Sequence, residues 1–201
     1  MADEPKKKRT NSKRKGNGFE GHVGKVLAEV FAPMQFRRSQ SSGAILGGTN
    51  AKFLEQFSDD AKALFIGDVV PTNEADIIRD EKWKFRFTLE CKFYKDCDNL
   101  EHLFNNTKIR GWMEQALNDA EKLKKDPLLI FKFNRTDTFC ATKKDFDVTA
   151  NKIVPKSVNR WVTVSFDEAS HPDGTIKPAF EMVIFLFKDA LLDKDWWKIQ
   201  L

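Results

Sequence analysis

The residues that most constrain the fold of this chain lie at positions 83–93, in the segment WKFRFTLECKF. All of its odd positions are apolar, and its even positions, which include Glu90 and Lys92, are polar. Strict alternation predicts a β-strand with one apolar face, because successive side chains of a strand point to opposite faces of a sheet. We therefore expect Glu90 and Lys92 on the same face, about 7 Å apart along the strand.

An aspartate interrupts the apolar segment at residues 63–70, ALFIGDVV, which predicts a second, short strand. An acid inside a buried strand is costly unless something compensates its charge. If the two strands are antiparallel neighbours, Asp68 and Glu90 can share a divalent cation with Lys92 beside them. These residues predict a hydrolytic metal site, with Asp76 in the polar segment at 71–82 as the alternative to Asp68.

The order of Gly67-Asp68 and Glu90-Cys91-Lys92 resembles the PD-(D/E)xK nuclease superfamily, which has the restriction-endonuclease-like fold. Over residues 18–146 the chain is similar to phage-type Holliday-junction resolvase-like nucleases. One departure is that the proline follows the aspartate, at Pro71, instead of preceding it. The further residues that carry the resemblance are Arg38, Ser39, Ser41 to Ala44, Trp112, Gln115, Ala116 and Pro127 to Leu129.

The resemblance implies an α/β fold with a central mixed β-sheet flanked by helices. It also implies that Asp68, Glu90 and the backbone carbonyl of Cys91 bind Mg²⁺, or Mn²⁺ in its place. Ligands that are all oxygen atoms favour these ions over zinc. Lys92 would orient or deprotonate the attacking water and stabilise developing charge.

Two residues outside these strands are candidates because of the resemblance. Apolar residues at helical spacing predict a helix at 19–31, where Glu20 lies in the first turn. A glutamate there is favoured by the helix dipole, and in the resolvase-like relatives it is a third carboxylate at the metal. A second helix is predicted at 107–125, and Gln115 on it is either a surface amide or a hydrogen-bond partner near the active site or the DNA backbone.

Basic residues are concentrated at the N-terminus. Residues 1–16 hold seven of the 34 basic and two of the 30 acidic residues, so this segment carries +5 and the remainder carries −1. Its polar composition predicts a disordered arm over residues 1–17. We expect the arm to follow DNA phosphates, although a solubilising tail has the same composition. Its basic residues are Lys6, Lys7, Lys8, Arg9, Lys13, Arg14 and Lys15.

The segment at residues 35–50 is rich in Ser, Gly and Arg. Taken alone it is typical of a flexible connector. Arg and Ser side chains also suit phosphate oxygens, and the segment precedes the Asp68 strand as in the resembling nucleases. We therefore predict DNA contacts by Arg37, Arg38, Ser41 and Ser42.

We expect a single nuclease domain at residues 18–201, with its core at 18–146. Residues 147–201 carry two predicted strands, at 160–166 and 180–187, which either extend the sheet or form a dimer surface. Trp196 and Trp197 are expected to dock on the domain's own core. The three cysteines, Cys91, Cys97 and Cys140, lack zinc-site spacing and predict no disulfide framework.

No apolar run approaches the roughly 20 residues that cross a bilayer, and no secretory signal is recognisable. We expect an intracellular, cytoplasmic protein without a membrane partner, and the resemblance suggests a phage or its bacterial host. The resemblance implies Holliday-junction resolution as the function, and it implies a homodimer because resolvases cut two strands symmetrically. The alternatives are a general or restriction-type phage DNA-processing nuclease, and a catalytically inactive DNA-binding protein of the same fold.

Overall fold

The computed structural model describes residues 12–39, 59–95, 107–170 and 174–201. Five α-helices lie in these ranges: α1 (Ser12–Val30), α2 (Asp59–Ala63), α3 (Glu74–Glu81), α4 (Thr107–Leu123) and α5 (Phe187–Ala190). The main strands are β1 (Phe36–Arg38), β2 (Val69–Pro71), β4 (Phe87–Tyr94), β5 (Asp126–Phe133), β6 (Thr138–Lys144), β7 (Trp161–Phe166) and β10 (Phe180–Leu186). Shorter strands are β3 (Trp83–Phe85), β8 (Ala169–Ser170), β9 (Ile176–Lys177) and β11 (Lys198–Gln200).

Seven strands form one mixed sheet in the order β1-β2-β4-β5-β6-β10-β7. Among the strands of the described residues, the only parallel pair in this sheet is β4 with β5, and α4 lies between these two strands along the chain. The predicted α/β fold with a central mixed sheet and flanking helices is confirmed. The C-terminal strands β7 and β10 extend this sheet, which is one of the two roles predicted for that part of the chain.

The sheet separates two apolar clusters. On one face, α1 packs against β4 through residues that include Val23, Leu27 and Leu89. On the other face, α4 packs through Ile109 and Met113 against strands β5, β6, β7 and β10. Both faces of the central strand β4 are therefore covered, and the polar residue Glu90 is as deeply buried as its apolar neighbours.

The C-terminal tryptophans pack on the core of their own chain, as predicted. Trp197 is fully buried, stacks on Phe85 at a ring-centroid distance of 5.9 Å and contacts Phe31. Its indole Nε1 donates a 2.9 Å hydrogen bond to the Ala190 carbonyl. Cys91 and Cys140 are buried free thiols, a common position for small core residues, and Cys97 lies outside the described residues.

Several predicted boundaries are wrong. The predicted continuous strand at 83–93 breaks at Arg86, whose side chain pairs with Asp126 and whose amide donates to the Trp197 carbonyl. β3 therefore leaves the main sheet and pairs with β11. The predicted strand at 63–70 is reduced to β2, and Asp68 directly precedes it, because Gly67 has a φ of +93° that no extended strand adopts.

Two helices also differ from the prediction. The polar segment at 71–82 contains helix α3, which buries Ile77. The first helix begins at Ser12 instead of residue 19, so Lys13, Arg14 and Lys15 are helical and do not belong to a disordered arm. Lys15 explains part of this extension, because its ammonium lies 4.5 Å from the ring centroid of Phe93 and donates to the Asn134 side chain at 2.5 Å.

Candidate active site

The backbone at Asp68 is held between the ends of two strands. The Asp68 amide donates to the Leu89 carbonyl of β4, and the Ser39 amide after β1 donates to the Asp68 carbonyl, both at 2.8 Å. A Cβ atom at Gly67 would lie 3.0 Å from the Leu89 carbonyl oxygen. Only glycine permits this approach together with the positive φ, so Gly67 places Asp68 against β4.

The Asp68 carboxylate lies against the edge of β4, at the point where β2 begins. β2 and β4 are antiparallel neighbours, as the sequence predicted, with Val69 opposite Leu89. Two residues further on, the Cys91 amide donates to Asp68 Oδ2 at 2.8 Å. The N–H and C=O groups of one strand residue point to the same side, so the Cys91 carbonyl faces the same edge as this carboxylate.

Glu90 and Lys92 form an ion pair on the face of β4 opposite to Leu89 and Cys91. Glu90 is 1% exposed, and its Oε1 accepts a hydrogen bond from the Lys92 ammonium. Burial, followed by the negative charge of Asp68, raises the pKa of Glu90 to about 8. Burial alone would lower the pKa of Lys92, but the charge and hydrogen bond of Glu90 outweigh this and raise it above 10.5.

Glu20 reaches the same region from helix α1. It is buried, and its Oε2 accepts a 2.7 Å hydrogen bond from Arg38 Nε on β1. Burial and then the charge of Asp68 raise the pKa of Glu20 above 4.5, against the opposing effect of Arg38. Lys92 also acts on Glu20 electrostatically. The structure thus brings Glu20, Asp68, Glu90 and Lys92 within electrostatic reach of one another.

The donor set of this site fits a divalent cation with oxygen ligands. Burial and then the charge of Asp68 raise the pKa of Glu90, and a cation beside these two buried carboxylates would offset both effects. With the Cys91 carbonyl they form a set of three oxygen donors. Within the described ranges, no three or more His, Cys, Asp or Glu side chains are grouped closely enough to hold a metal. A cation here would therefore depend on the backbone carbonyl and on water.

The remaining predicted residues are exposed, pair with other side chains or lie outside the residues that the structure describes. Gln115 is exposed on α4, and Asp76 is exposed on α3, where it pairs with Arg79 at 3.1 Å. Arg37 is exposed on β1, whereas its neighbour Arg38 is the partner of Glu20. The predicted DNA contacts that lie outside the described residues are Lys6, Lys7, Lys8, Arg9, Ser41 and Ser42.

The first turns of α1 bring basic residues close to β4. Lys13 and Arg14 are exposed, and Lys15 packs on Phe93, which directly follows Lys92 in the sequence. Phe19 also packs against Phe93, at a ring-centroid distance of 5.7 Å. The basic end of α1 is therefore fixed beside the strand that carries Glu90 and Lys92.

Two residues near the site were not identified from the sequence. Asp119 on α4 is 5% exposed, pairs with Lys122 at 2.9 Å and contributes to the raised pKa of Glu90. The signal in the sequence that could have identified Asp119 is its position one helical turn after Gln115, on the same side of the predicted helix. Thr88 lies on the same face of β4 as Glu90, and its buried hydroxyl has no hydrogen-bond partner within the described part of the chain.

A mixed sheet flanked by helices, with Asp68 beside one strand and Glu90 and Lys92 two residues apart on the next, defines a nuclease of the PD-(D/E)xK superfamily. The family model described as "Phage putative PDDEXK endonuclease" matches residues 11–194, and the chain belongs to this family. No curated protein matches the chain, and no solved structure does. None of the helices in the described ranges is long and apolar enough to cross a membrane.

Proposed function

We propose that the protein is a Mg²⁺-dependent DNA endonuclease that hydrolyses phosphodiester bonds in branched DNA, with the four-way junction as its substrate. The observation that carries the proposal is the arrangement of Asp68, Glu90 and Lys92 around one edge of β4. Membership of a PDDEXK endonuclease family supports the reaction class. The preference for a branched substrate rests on the resemblance in sequence to resolvase-like nucleases.

Each of the three side chains has a distinct task in this proposal. Asp68 and Glu90, with the Cys91 carbonyl, would hold Mg²⁺, and Mn²⁺ would bind in the same way. When bound, the ion supplies a Lewis acid for the phosphate and lowers the pKa of an attacking water. The Lys92 ammonium already donates to Glu90, and its remaining N–H groups can donate to that water or to a phosphate oxygen.

Positive charge near β4 supports DNA as the partner. Lys13 and Arg14 project from a helix whose next basic residue, Lys15, is fixed against Phe93. Phosphate contacts position a protein on DNA without reading its sequence, so these residues would guide the backbone toward Lys92. Symmetric cutting of two strands requires two copies of the site, so we further propose a two-fold homodimer acting in the cytoplasm of a phage-infected cell.

The decisive experiment incubates the protein with a labelled synthetic four-way junction or a linear duplex, in Mg²⁺ or in EDTA. Paired nicks near the branch that appear only with Mg²⁺ would support the proposal. Equal cutting of the duplex would favour a general DNA-processing nuclease. A retarded but uncut junction would favour a DNA-binding protein without catalysis.

Point variants assign the activity to the site. Asp68→Asn and Lys92→Ala should each reduce cleavage by at least about a thousandfold while retaining junction binding, because they remove a metal ligand and a charge donor. Asp147→Asn and Lys156→Ala, which change exposed residues of the same types, are the matched controls. Cleavage at the wild-type rate by either site variant would refute the assignment.

A further inference from the structure

We infer that Arg38 supplies at Glu20 the positive charge that a second cation would otherwise supply, so that the active site binds one divalent cation per chain. This inference rests on the proposed function, because it concerns the cation of that site. It assigns Glu20 a different role from the third metal ligand expected from the sequence.

The first observation is the geometry of the ion pair. Arg38 Nε donates to Glu20 Oε2 at 2.7 Å, and the Glu20 side chain is only 11% exposed. A charge-assisted hydrogen bond of this length is among the stronger polar contacts in proteins. A cation that bound Glu20 at this oxygen would have to displace the guanidinium and leave it close to a second positive charge.

The second observation is that Glu20 has a different basic partner from Asp68 and Glu90 and lies on a different element. Asp68 and Glu90 both lie at β4, where Asp68 is bound by the Cys91 amide and Glu90 by Lys92. Glu20 lies on α1 and has its own basic partner from β1. The described residues contain no group of three acidic side chains close enough to share an ion. In the proposed function Asp68 and Glu90, with the Cys91 carbonyl, form the cation site, and Glu20 with Arg38 forms a neighbouring ion pair.

The third observation is that the ion pair with Glu20 does not occupy all of the hydrogen-bond donors of Arg38. Its side chain is 38% exposed, and Glu20 is the only hydrogen-bond partner of its guanidinium within the described part of the chain. A guanidinium has five N–H donors, so its outer edge remains able to bind a phosphate oxygen. Arg38 thus acts as a fixed, pH-independent cation that faces both the acidic site and the solvent.

The test counts bound ions and does not depend on cleavage. Mn²⁺ binding is measured by isothermal titration calorimetry and by the loss of the free-ion electron paramagnetic resonance signal, without DNA. The wild-type chain should bind one Mn²⁺. Glu20→Gln keeps the shape and an oxygen acceptor for Arg38, so its Kd for Mn²⁺ should stay within about twofold of wild type, whereas Asp68→Asn should weaken binding at least about tenfold.

Removing the guanidinium charge tests whether Arg38 takes the place of a second cation at Glu20. Arg38→Met should admit a second, weaker Mn²⁺, because it leaves Glu20 without a counter-charge while the negative charge of Asp68 still acts on it, and the double variant with Glu20→Gln should return to one ion. Arg37→Met, on the same strand but exposed, should remain at one and is the matched control. Failure of Arg38→Met to bind a second ion would overturn the role given to Arg38.

The outcomes separate this inference from the proposed function. Two ions in the wild-type chain, or a tenfold loss of Mn²⁺ affinity in Glu20→Gln, would overturn the inference and leave a metal-dependent nuclease in place. No Mn²⁺ binding by the wild-type chain would overturn the proposed function itself. If Arg38→Met fails to fold, as judged by circular dichroism, the comparison of wild type with Glu20→Gln decides the question alone.

Discussion

The burial of Glu90 has a measurable effect on folding stability. With a pKa of about 8 in the folded chain and an ordinary value of 4.5, Glu90 stays protonated in the folded state over a pH range in which it ionises in the unfolded chain. Its contribution to stability is therefore fully present below about pH 4.5 and is lost as the pH rises through about 8. Because one pKa unit corresponds to about 1.4 kcal/mol, the loss between about pH 5 and pH 9 is roughly 4 kcal/mol.

Glu90→Gln removes this titration while keeping the size of the side chain. The free energy of unfolding of the variant minus that of wild type should increase by roughly 4 kcal/mol from about pH 5 to about pH 9. The assay is guanidinium denaturation followed by tryptophan fluorescence at several pH values, in EDTA so that no divalent cation offsets the carboxylate charge.

Glu114→Gln is a control in which the pKa of the replaced carboxyl is lowered instead of raised. Burial would raise the pKa of Glu114, but hydrogen bonds from Lys177 and Arg110 outweigh it and hold the pKa below 4.5. The stability that Glu114 contributes is therefore present above 4.5 and is lost only as the pH falls through that lower value. Glu114→Gln should cost a constant amount between about pH 6 and pH 9. If the free energies of unfolding of wild type and Glu90→Gln change in parallel with pH over the same range, the explanation of the Glu90 pKa is wrong.

Three further substitutions test the framework around the site by denaturation in the same buffer. Gly67→Ala should lower the free energy of unfolding by about 1–3 kcal/mol, because its φ is +93° and the new Cβ would meet the Leu89 carbonyl; an unchanged value would contradict this. Trp197→Ala should cost about 3–5 kcal/mol by leaving a cavity in the aromatic core, and a loss under about 1 kcal/mol would show that the site collapses freely. Arg110→Met should cost about 1–3 kcal/mol, because its guanidinium binds Glu114 and three backbone carbonyls. Amide hydrogen exchange at residues 174–177 should also accelerate, and unaltered protection there would count against this role.

The central strand could be predicted from local sequence, and the placement of the acids beside it could not. Alternation at residues 83–93 predicted the apolar face of β4 and put Glu90 and Lys92 together on the other face. It did not reveal that α4 covers that face as well, which buries Glu90 and brings Asp119 near it. Burial on the second face depends on a helix that follows in the chain, and no local pattern in the strand records it.

For Asp68, the sequence likewise predicted the neighbouring strand but not the local backbone conformation. Its isolation in an apolar segment marked it as a candidate, and the pairing of its strand with β4 followed as predicted. The predicted strand itself was wrong, because the chain turns at Gly67 with a positive φ and the Asp68 amide then donates to the Leu89 carbonyl, more than twenty residues away. The pairing of Glu20 with Arg38 joins two residues that the sequence had assigned to a metal and to DNA separately.

The amino-acid sequence by itself determined the α/β class, the alternating central strand, and the residue types at Asp68, Glu90 and Lys92. These follow from side-chain periodicity and chemistry, which are local properties of the chain. The tertiary structure decided which acids share an environment and how their charges are balanced, since burial and Coulomb interactions depend on distances between elements far apart in sequence. Glu90 has a raised pKa and Glu20 has an arginine partner only because β4, β1, α1 and α4 come together.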